Sequence, residues 1–268
     1  MPMQKNLVKA KLREGGTVLG TCLTDYYGPE VVTVIKAAGL DFFFIDTEHS
    51  AAAERDIQNL VRVARAADVT PIVRVTQTEG FLISRALDVG ALGIIAPRVH
   101  SAGQARGVVD AAKFTPEGSR GYGLRGIIND YNYGGAQAEM EASNRETLII
   151  VQMESRECVD AIYDITAVPG VDATMVGPFD LSVSLGIPGD FDNPIFWDAF
   201  DRMVDACNKN DVAPGVHMGN VAGLKKVQEH GARFLVYSSE MNMMLNGWRA
   251  VRQEFPVAEP VGAKSGYM

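Results

Sequence analysis

Short apolar runs alternate with stretches of helical period along almost the whole chain. Eight runs have the length and make-up of strands: 17–23, 41–45, 71–75, 93–96, 148–153, 173–176, 213–216 and 234–237. They are near-continuous and rich in Val, Ile and Phe, as expected of strands buried on both faces of a parallel sheet. Between them the apolar residues recur on one helical face. Residues 29–38 carry Val31, Val32 and Ile35 and stop at Gly39, and residues 53–66 carry Ile57, Leu60, Val61 and Val63. Residues 81–89 stop at Gly90, 102–112 and 194–208 follow the same pattern, and 240–255 closes the series. Gly just past a helical run marks a C-cap, because Gly enters the left-handed conformation without a steric penalty.

Eight strand–helix units in 268 residues predict an α/β protein of the closed (β/α)₈ TIM-barrel class. A doubly wound open sheet is the alternative, but no Gly-x-Gly-x-x-Gly turn follows the first strand. Residues 1–255 read as one barrel domain that begins with an amphipathic helix, and 256–268 as a flexible tail. Two connections are long. Residues 115–145, rich in Gly, Tyr and Asn, are expected to form a loop over the functional site, and 180–193 lead into the helix that starts at 194.

Composition narrows the class further. With 47% hydrophobic and 22% charged residues, the chain can bury a core without covalent staples. A net charge of −8 gives no electrostatic basis for binding nucleic acid or an anionic membrane. Cys22, Cys158 and Cys207 are odd in number, far apart and without a CxxC pair, which argues against a disulfide framework or zinc knuckle and fits a reducing cytoplasm. The N-terminus has no apolar signal-peptide core, and no apolar run approaches the ~20 residues that span a bilayer.

In a barrel of this class, chemistry sits at the C-terminal ends of the strands. There the chain offers Asp46, Glu48 and His49, then Arg74, then Arg98 and His100. Gln152 and Glu154 follow, then Phe179 and Asp180, then His217, and finally Ser238, Ser239 and Glu240. Glu154 and Asp180 come from neighbouring strands and could share a hard cation such as Mg²⁺ or Mn²⁺, or stand as two exposed acids. Histidine changes charge near neutral pH, so His49 is either a general base or a hydrogen-bonded structural residue. Arg74 lies inside an apolar run, where an unpaired guanidinium is costly; it either bridges to Glu48 or Asp46 or meets an anionic substrate. No lysine closes a strand at the barrel mouth, which disfavours a Schiff-base mechanism.

Taken in order, these segments resemble the HpcH/HpaI family of class II, metal-dependent pyruvate aldolases, such as 4-hydroxy-2-oxoheptanedioate aldolases, relatives of the citrate lyase β-subunit group. The matching stretches are Ile45-Asp-Thr-Glu-His49, Ile72-Val-Arg74, Ala86-Leu-Asp88-Val-Gly-Ala, Val151-Gln-Met-Glu154-Ser and Val176-Gly-Pro-Phe-Asp180-Leu-Ser182. Ala213-Pro-Gly215 and Gly231-Ala-Arg-Phe-Leu also fit. The resemblance implies a phosphoenolpyruvate/pyruvate-type barrel that uses a divalent metal, Mg²⁺ or Mn²⁺ with Co²⁺ as a further option, held by Glu154 and Asp180. Gln152, Asp180 and the backbone amide of Phe179 would hold the substrate, and Arg74 would stabilise an enolate oxygen. His49 would be the base, acting through a water molecule, with Asp88 matching the acid that makes it more basic. Asp88 nevertheless stands at the end of its helix near Gly90, towards the bottom of the barrel, so it would act from a neighbouring subunit, through a bend, or only as a structural cap.

The reaction so implied is cleavage or formation of the C3–C4 bond of a 4-hydroxy-2-oxo acid, giving pyruvate and an aldehyde. An acyl-CoA lyase of the malyl or citramalyl type is the enzyme alternative, with Arg120 and Arg125 as candidate phosphate ligands; a non-catalytic ligand-binding barrel is the other. Relatives usually carry an apolar residue at the position of His217, a smaller one at Phe179, and Met with a small amide in place of Arg98 and His100. They also have a Trp in the first strand, which here reads Thr21-Cys22-Leu23, and an Asp at the position of Glu240. These departures leave the aldehyde open and make His217 a candidate for its recognition. Met241, Met243 and Met244 are core by ordinary usage; by resemblance they pack on another subunit of a homo-oligomer, a trimer or hexamer.

Overall fold

A computed structural model describes residues 4–123, 126–129, 131 and 133–255. The eight strands are β1 (Val18–Leu23), β2 (Phe42–Asp46), β3 (Thr70–Arg74), β4 (Gly93–Ala96), β5 (Leu148–Met153), β6 (Ala173–Val176), β7 (Gly215–Met218) and β8 (Phe234–Ser239). They are parallel and close into a barrel in sequence order, a (β/α)₈ TIM barrel. The helices are α1 (Leu7–Arg13), α2 (Glu30–Ala37), α3 (Glu54–Ala66), α4 (Gly80–Asp88), α5 (Ala102–Ala112), α6 (Ala136–Glu146), α7 (Arg156–Asp160) and α8 (Ile162–Thr166). They continue with α9 (Pro178–Ser184), α10 (Pro194–Lys209), α11 (Val221–Glu229) and α12 (Glu240–Glu254). None of them is long and apolar enough to cross a membrane. The expected tail 256–268 and Arg125 lie outside the described residues.

Strand periodicity divides the apolar residues into two layers. Phe42, Phe44, Ile72, Ile95, Ile150 and Phe234 fill the barrel interior, while Phe43, Ile45, Val73, Ile94, Ile149 and Leu235 pack beneath the helices. Phe42 stacks on Phe234 with ring centres 4.5 Å apart, and truncating such a buried ring to Ala costs ~3–5 kcal/mol. Val8 and Leu12 of α1 join the interior cluster, so α1 plugs the N-terminal end of the barrel. Its N-cap, Asn6, accepts from the amide of Lys9 at 2.9 Å and donates to the carbonyls of Leu92 and Glu146. Gly39 and Gly90, at φ +77° and +102°, follow α2 and α4 in the left-handed conformation their sequence position predicts.

The structure corrects several expectations. Residues 115–145 are not a loop over the site. They contain the helix α6 and connect α5 to β5, so they lie at the N-terminal ends of the strands, where a helix-to-strand connection must return. Residues 180–193 begin inside α9, and α7, α8 and α11 fall in stretches for which no helix was expected. The seventh strand is displaced to Gly215–Met218, because Pro214 has no N–H with which to extend the ladder; only an isolated bridge from Ala173 to Ala213 precedes it. The three cysteines are free and buried.

Candidate active site

At the C-terminal ends of the strands lies a cavity of about 310 Å³, lined among others by Asp46, His49, Arg74, Gln152, Asp180 and His217. Asp46 and Arg74 end β2 and β3 as direct register partners. The Asp46 carboxylate accepts Nε of Arg74 at 2.9 Å and Nη2 at 2.5 Å. Burial alone would lower the guanidinium's pKa, but the hydrogen bond and charge of Asp46 outweigh it and raise the value above the ordinary one. Burial likewise pushes the Asp46 carboxyl up, yet Arg74 and the amides of Glu48 and His49 hold it below the usual carboxylate range. Arg74 thus bridges to Asp46 first, with Glu48 second at 3.5 Å from Nη1, a geometry that leaves its contact with an anionic substrate open. Nη1 also lies 3.4 Å from Oε1 of Gln152, a long contact.

A second knot joins Glu48, Arg98 and Glu154. Arg98 stands at φ +57°, and its amide donates to Oε1 of Glu154 at 2.6 Å while its Nη2 lies 3.2 Å from Oε1 of Glu48. The other Glu154 oxygen accepts from the Gln152 amide. Gly177 leaves room behind this pair: a Cβ there would stand 3.1 Å from Nε2 of Gln152 and 3.6 Å from Oε2 of Glu154. Burial, chiefly, and the charges of Glu48 and Asp180 push the Glu154 carboxyl up, although the Arg98 amide and Gln152 oppose it. Oε2 of Glu48 is buried and accepts no hydrogen bond.

These observations test the fit of a cation. Four carboxyl groups (Asp46, Glu48, Glu154, Asp180) share the site with two guanidinium groups (Arg74, Arg98), so ionised carboxylates there would outnumber the cations by two. A divalent ion bound through oxygen matches both the charge and the donor type. Among the described residues no three His, Cys, Asp or Glu side chains are grouped to hold a metal alone. A pair of carboxylates that leaves positions for substrate and water is how Mg²⁺ is ordinarily held.

The remaining candidates divide. The His49 ring sits at the cavity rim, 57% exposed, with Nε2 3.9 Å from Glu48. His217 lies edge-on to Phe44, and its Nε2 meets the Ser238 carbonyl at 2.9 Å; since a carbonyl only accepts, this nitrogen carries the proton. Burial, with Arg74 adding to it, lowers the His217 pKa and favours the neutral ring. Phe179, in the first turn of α9, is 70% exposed at the cavity and stands edge-on to Phe191. Its amide has no intrahelical acceptor.

Asp88 is not brought to His49 within the chain. It ends α4 on the opposite side of the barrel and pairs with Arg120 at 2.5 Å. Arg120 is therefore also remote from the cavity and cannot serve there as a nucleotide ligand. His100 turns to Ser155, its Nδ1 2.9 Å from the hydroxyl.

Asp46 stands in the sequence as a strand-end acid and a possible partner of Arg74, without a role in the reaction; the structure places it and Arg74 as the last residues of adjacent five-residue strands. Glu240 reads from the sequence as a strand-end acid that stands where relatives carry Asp. Its carboxylate accepts the amides of Thr24, Asp25 and Tyr26 at 2.8–3.0 Å and so ties the loop after β1 to α12.

Comparison with known proteins agrees with this fold. Residues 27–247 match the family described as HpcH/HpaI aldolase/citrate lyase. The chain is 32% identical over 254 residues to a hydroxypyruvate/pyruvate aldolase of Paraburkholderia phytofirmans, covering 93% of this chain and 97% of that one. It is 28% identical over 264 residues to a 4-hydroxy-2-oxo-heptane-1,7-dioate aldolase of Salmonella typhimurium, covering 98% and 99%. The crystal structure of an HpcH/HpaI aldolase from Desulfitobacterium hafniense superposes with a TM-score of 0.88 at 34% identity, covering 96% of this chain and all of that one.

Proposed function

This chain belongs to the HpcH/HpaI aldolase/citrate lyase family and is a carbon–carbon lyase of the aldolase kind; from that premise we propose that it cleaves 4-hydroxy-2-oxo acids to pyruvate and an aldehyde, and joins them in reverse. The observation that carries this reading is the pairing of an oriented guanidinium, Arg74, with a cluster of carboxylates short of two positive charges. We further propose Mg²⁺ or Mn²⁺ as the metal, with Co²⁺ as a substitute, and Glu154 and Asp180 as its ligands.

Held by Glu154 and Asp180, a divalent ion would supply Lewis-acid stabilisation of the negative charge that develops on the 2-oxo acid. The chain's own residues do the rest. Asp46 fixes the Arg74 fork, so that Nη1, with only long contacts to Gln152 and Glu48, is free to meet a substrate oxygen. That N–H stabilises the negative charge gathering on the ketone oxygen as C3–C4 breaks, an effect worth ~3–4 kcal/mol for one preorganised donor. The C4 hydroxyl proton goes to His49, the C4 oxygen becomes the aldehyde, and the bonding electrons pass into the enolate. Return of a proton to C3 completes pyruvate. Gln152 and the amide of Phe179 hold the acid end, and Phe179 and His217 face the aldehyde.

Asp88 can assist His49 only across a subunit boundary, since it stands at the far end of its own barrel. The exposed row Met241, Met244, Leu245 and Trp248 on α12 supports a homo-oligomer, a trimer or hexamer, in which such an approach could occur. Free, buried cysteines and the lack of a membrane-crossing helix among the described residues fit a cytoplasmic enzyme. The test of the reaction is deuterium exchange of the pyruvate methyl group, followed by NMR with Mg²⁺ or Mn²⁺ and then with chelator. Metal-dependent exchange is expected; exchange that ignores the chelator would sink the reading.

A further inference from the structure

At the opposite end of the barrel lies a larger cavity, of about 470 Å³, walled by α1, the ends of α5 and α6 and the segments before β6 and β7. Nothing in the aldolase reading uses it. Two lysines are buried in its wall, Lys9 at 3% and Lys113 at 2% exposure, and the carboxylates set deepest beside them, Asp172 and Glu146, are only partly buried and act on Lys9. Asp172 serves Lys9 at 2.8 Å and is also approached by Arg13 at 3.7 Å. Lys113 donates to the carbonyl of Asn144, and its nearest carboxylate, that of the exposed Glu117, stands 4.0 Å away. Burial, and after it the charge of Lys9, pushes the Lys113 ammonium down to about 8. Taking an ammonium out of water without a counter-ion is costly, and here the cost is borne beside a cavity large enough for a small molecule.

We propose that this cavity is a binding site for a small oxyanion, a carboxylate or a phosphate, which supplies Lys113 with a counter-charge beyond the distant ones of Glu117 and Asp172. Lys9 lies beside it, and Arg13 and Arg145 line the same cavity. The acids in the lining other than Asp172, namely Glu117, Glu141 and Asp211, are exposed, as are Arg13 and Arg145, so the two buried lysines stand behind a rim of mixed charge. Because α1 plugs the barrel and contributes Lys9 and Arg13, an anion here would tie the plug to the segments before β5 and β6 and stabilise the fold by mass action.

The test is calorimetric titration of the full-length, metal-loaded protein with inorganic phosphate and, separately, malonate, with melting temperature as a second reading. Saturable binding of at least one anion is expected, and the stronger of the two identifies the source chemistry. Lys113→Met should weaken it at least tenfold, and Glu117→Gln should tighten it several-fold by removing the competing carboxylate. Neither change touches the candidate active site, so pyruvate methyl exchange should persist in both. Should Lys113→Met fail to fold, Glu117→Gln decides: tightening supports the site and unchanged affinity overturns it. No saturable binding, or binding indifferent to both substitutions (an adventitious ion only), also overturns it.

Discussion

Asp46 and Arg74 face each other in register at the ends of two adjacent strands and are joined by a two-point ion pair, with Nε at 2.9 Å and Nη2 at 2.5 Å from the carboxylate. Both are buried, so removing one partner leaves a desolvated charge, at a cost of ~3–5 kcal/mol. Asp46→Asn should therefore lower both the melting temperature and kcat. The pH dependence has a defined sign. Because folding holds the Asp46 carboxyl below its ordinary value of 3.8, the pair contributes stability above that pH and loses it as pH falls through the depressed folded value. Acid melts of wild type should show this loss and those of Asp46→Asn should lack it; parallel acid profiles would mean that the pair does not carry the linkage.

Arg74→Ala separates transition-state stabilisation from site assembly. Loss of one preorganised donor predicts a fall in kcat of ~10²–10³-fold. Removing a positive charge beside Glu48 should leave metal affinity unchanged or tighter. Steady-state kinetics and a Mn²⁺ titration on the same variant read the two quantities. If affinity weakens by the same factor as kcat falls, Arg74 organises the site and does not act on the enolate.

Legibility followed burial. A run such as Phe42–Asp46 sits between the interior and the helical layer, so its composition alone marks a central strand. The helix α6 escaped because its sequence, Ala-Gln-Ala-Glu-Met-Glu-Ala-Ser-Asn-Arg-Glu, carries no large apolar stripe and follows a glycine- and tyrosine-rich stretch. In the candidate site, strand ends named the polar residues one at a time. The partnership of Arg74 with Asp46 was among the alternatives the sequence offered, but that of Arg98 with Glu154 was not legible, because the Arg98 amide reaches Glu154 only through a left-handed backbone turn that no side-chain pattern announces. The placement of Asp88 was legible, since a helix that follows a barrel strand ends at the bottom of the barrel.

Glu154→Gln tests the charge deficit. Burial and the neighbouring acids disfavour the Glu154 carboxylate, so the amide should melt higher than wild type in chelator. The same change removes a proposed ligand, so the stabilisation that Mn²⁺ gives wild type should be lost and pyruvate exchange abolished. Differential scanning calorimetry with and without Mn²⁺ reads the difference. Equal metal-induced stabilisation in the two proteins would remove Glu154 from the ligand set.

We propose that His217 helps choose the aldehyde and does not run the pyruvate half-reaction. Its Nε2–H is engaged by the Ser238 carbonyl and its ring is neutral, so it presents a fixed polar edge beside Phe44. His217→Leu should leave pyruvate methyl exchange within a few-fold of wild type while shifting kcat/KM among hydroxylated and apolar aldehydes by about tenfold, the scale of ~1–3 kcal/mol for altered pocket contacts. Unchanged aldehyde preference would clear His217 of this role.

The last prediction concerns assembly. The only buried residue of α12 is Glu240, while Met241, Met243, Met244, Leu245, Trp248 and Val251 are exposed, Trp248 at 73%. A helix of 15 residues is marginal in water without an apolar surface to pack on, and so large an exposed apolar row marks an interaction site. A second copy of the chain is the proposed partner. Trp248→Glu should then convert an oligomer to a smaller species in sedimentation velocity, with the barrel's circular dichroism unchanged. If Asp88 assists His49 of a neighbouring subunit, kcat should fall with dissociation, and Asp88→Asn should lower kcat in the oligomer but add nothing in the dissociated variant. A wild-type protein that sediments as a monomer would end both the assembly proposal and the shared-site role of Asp88.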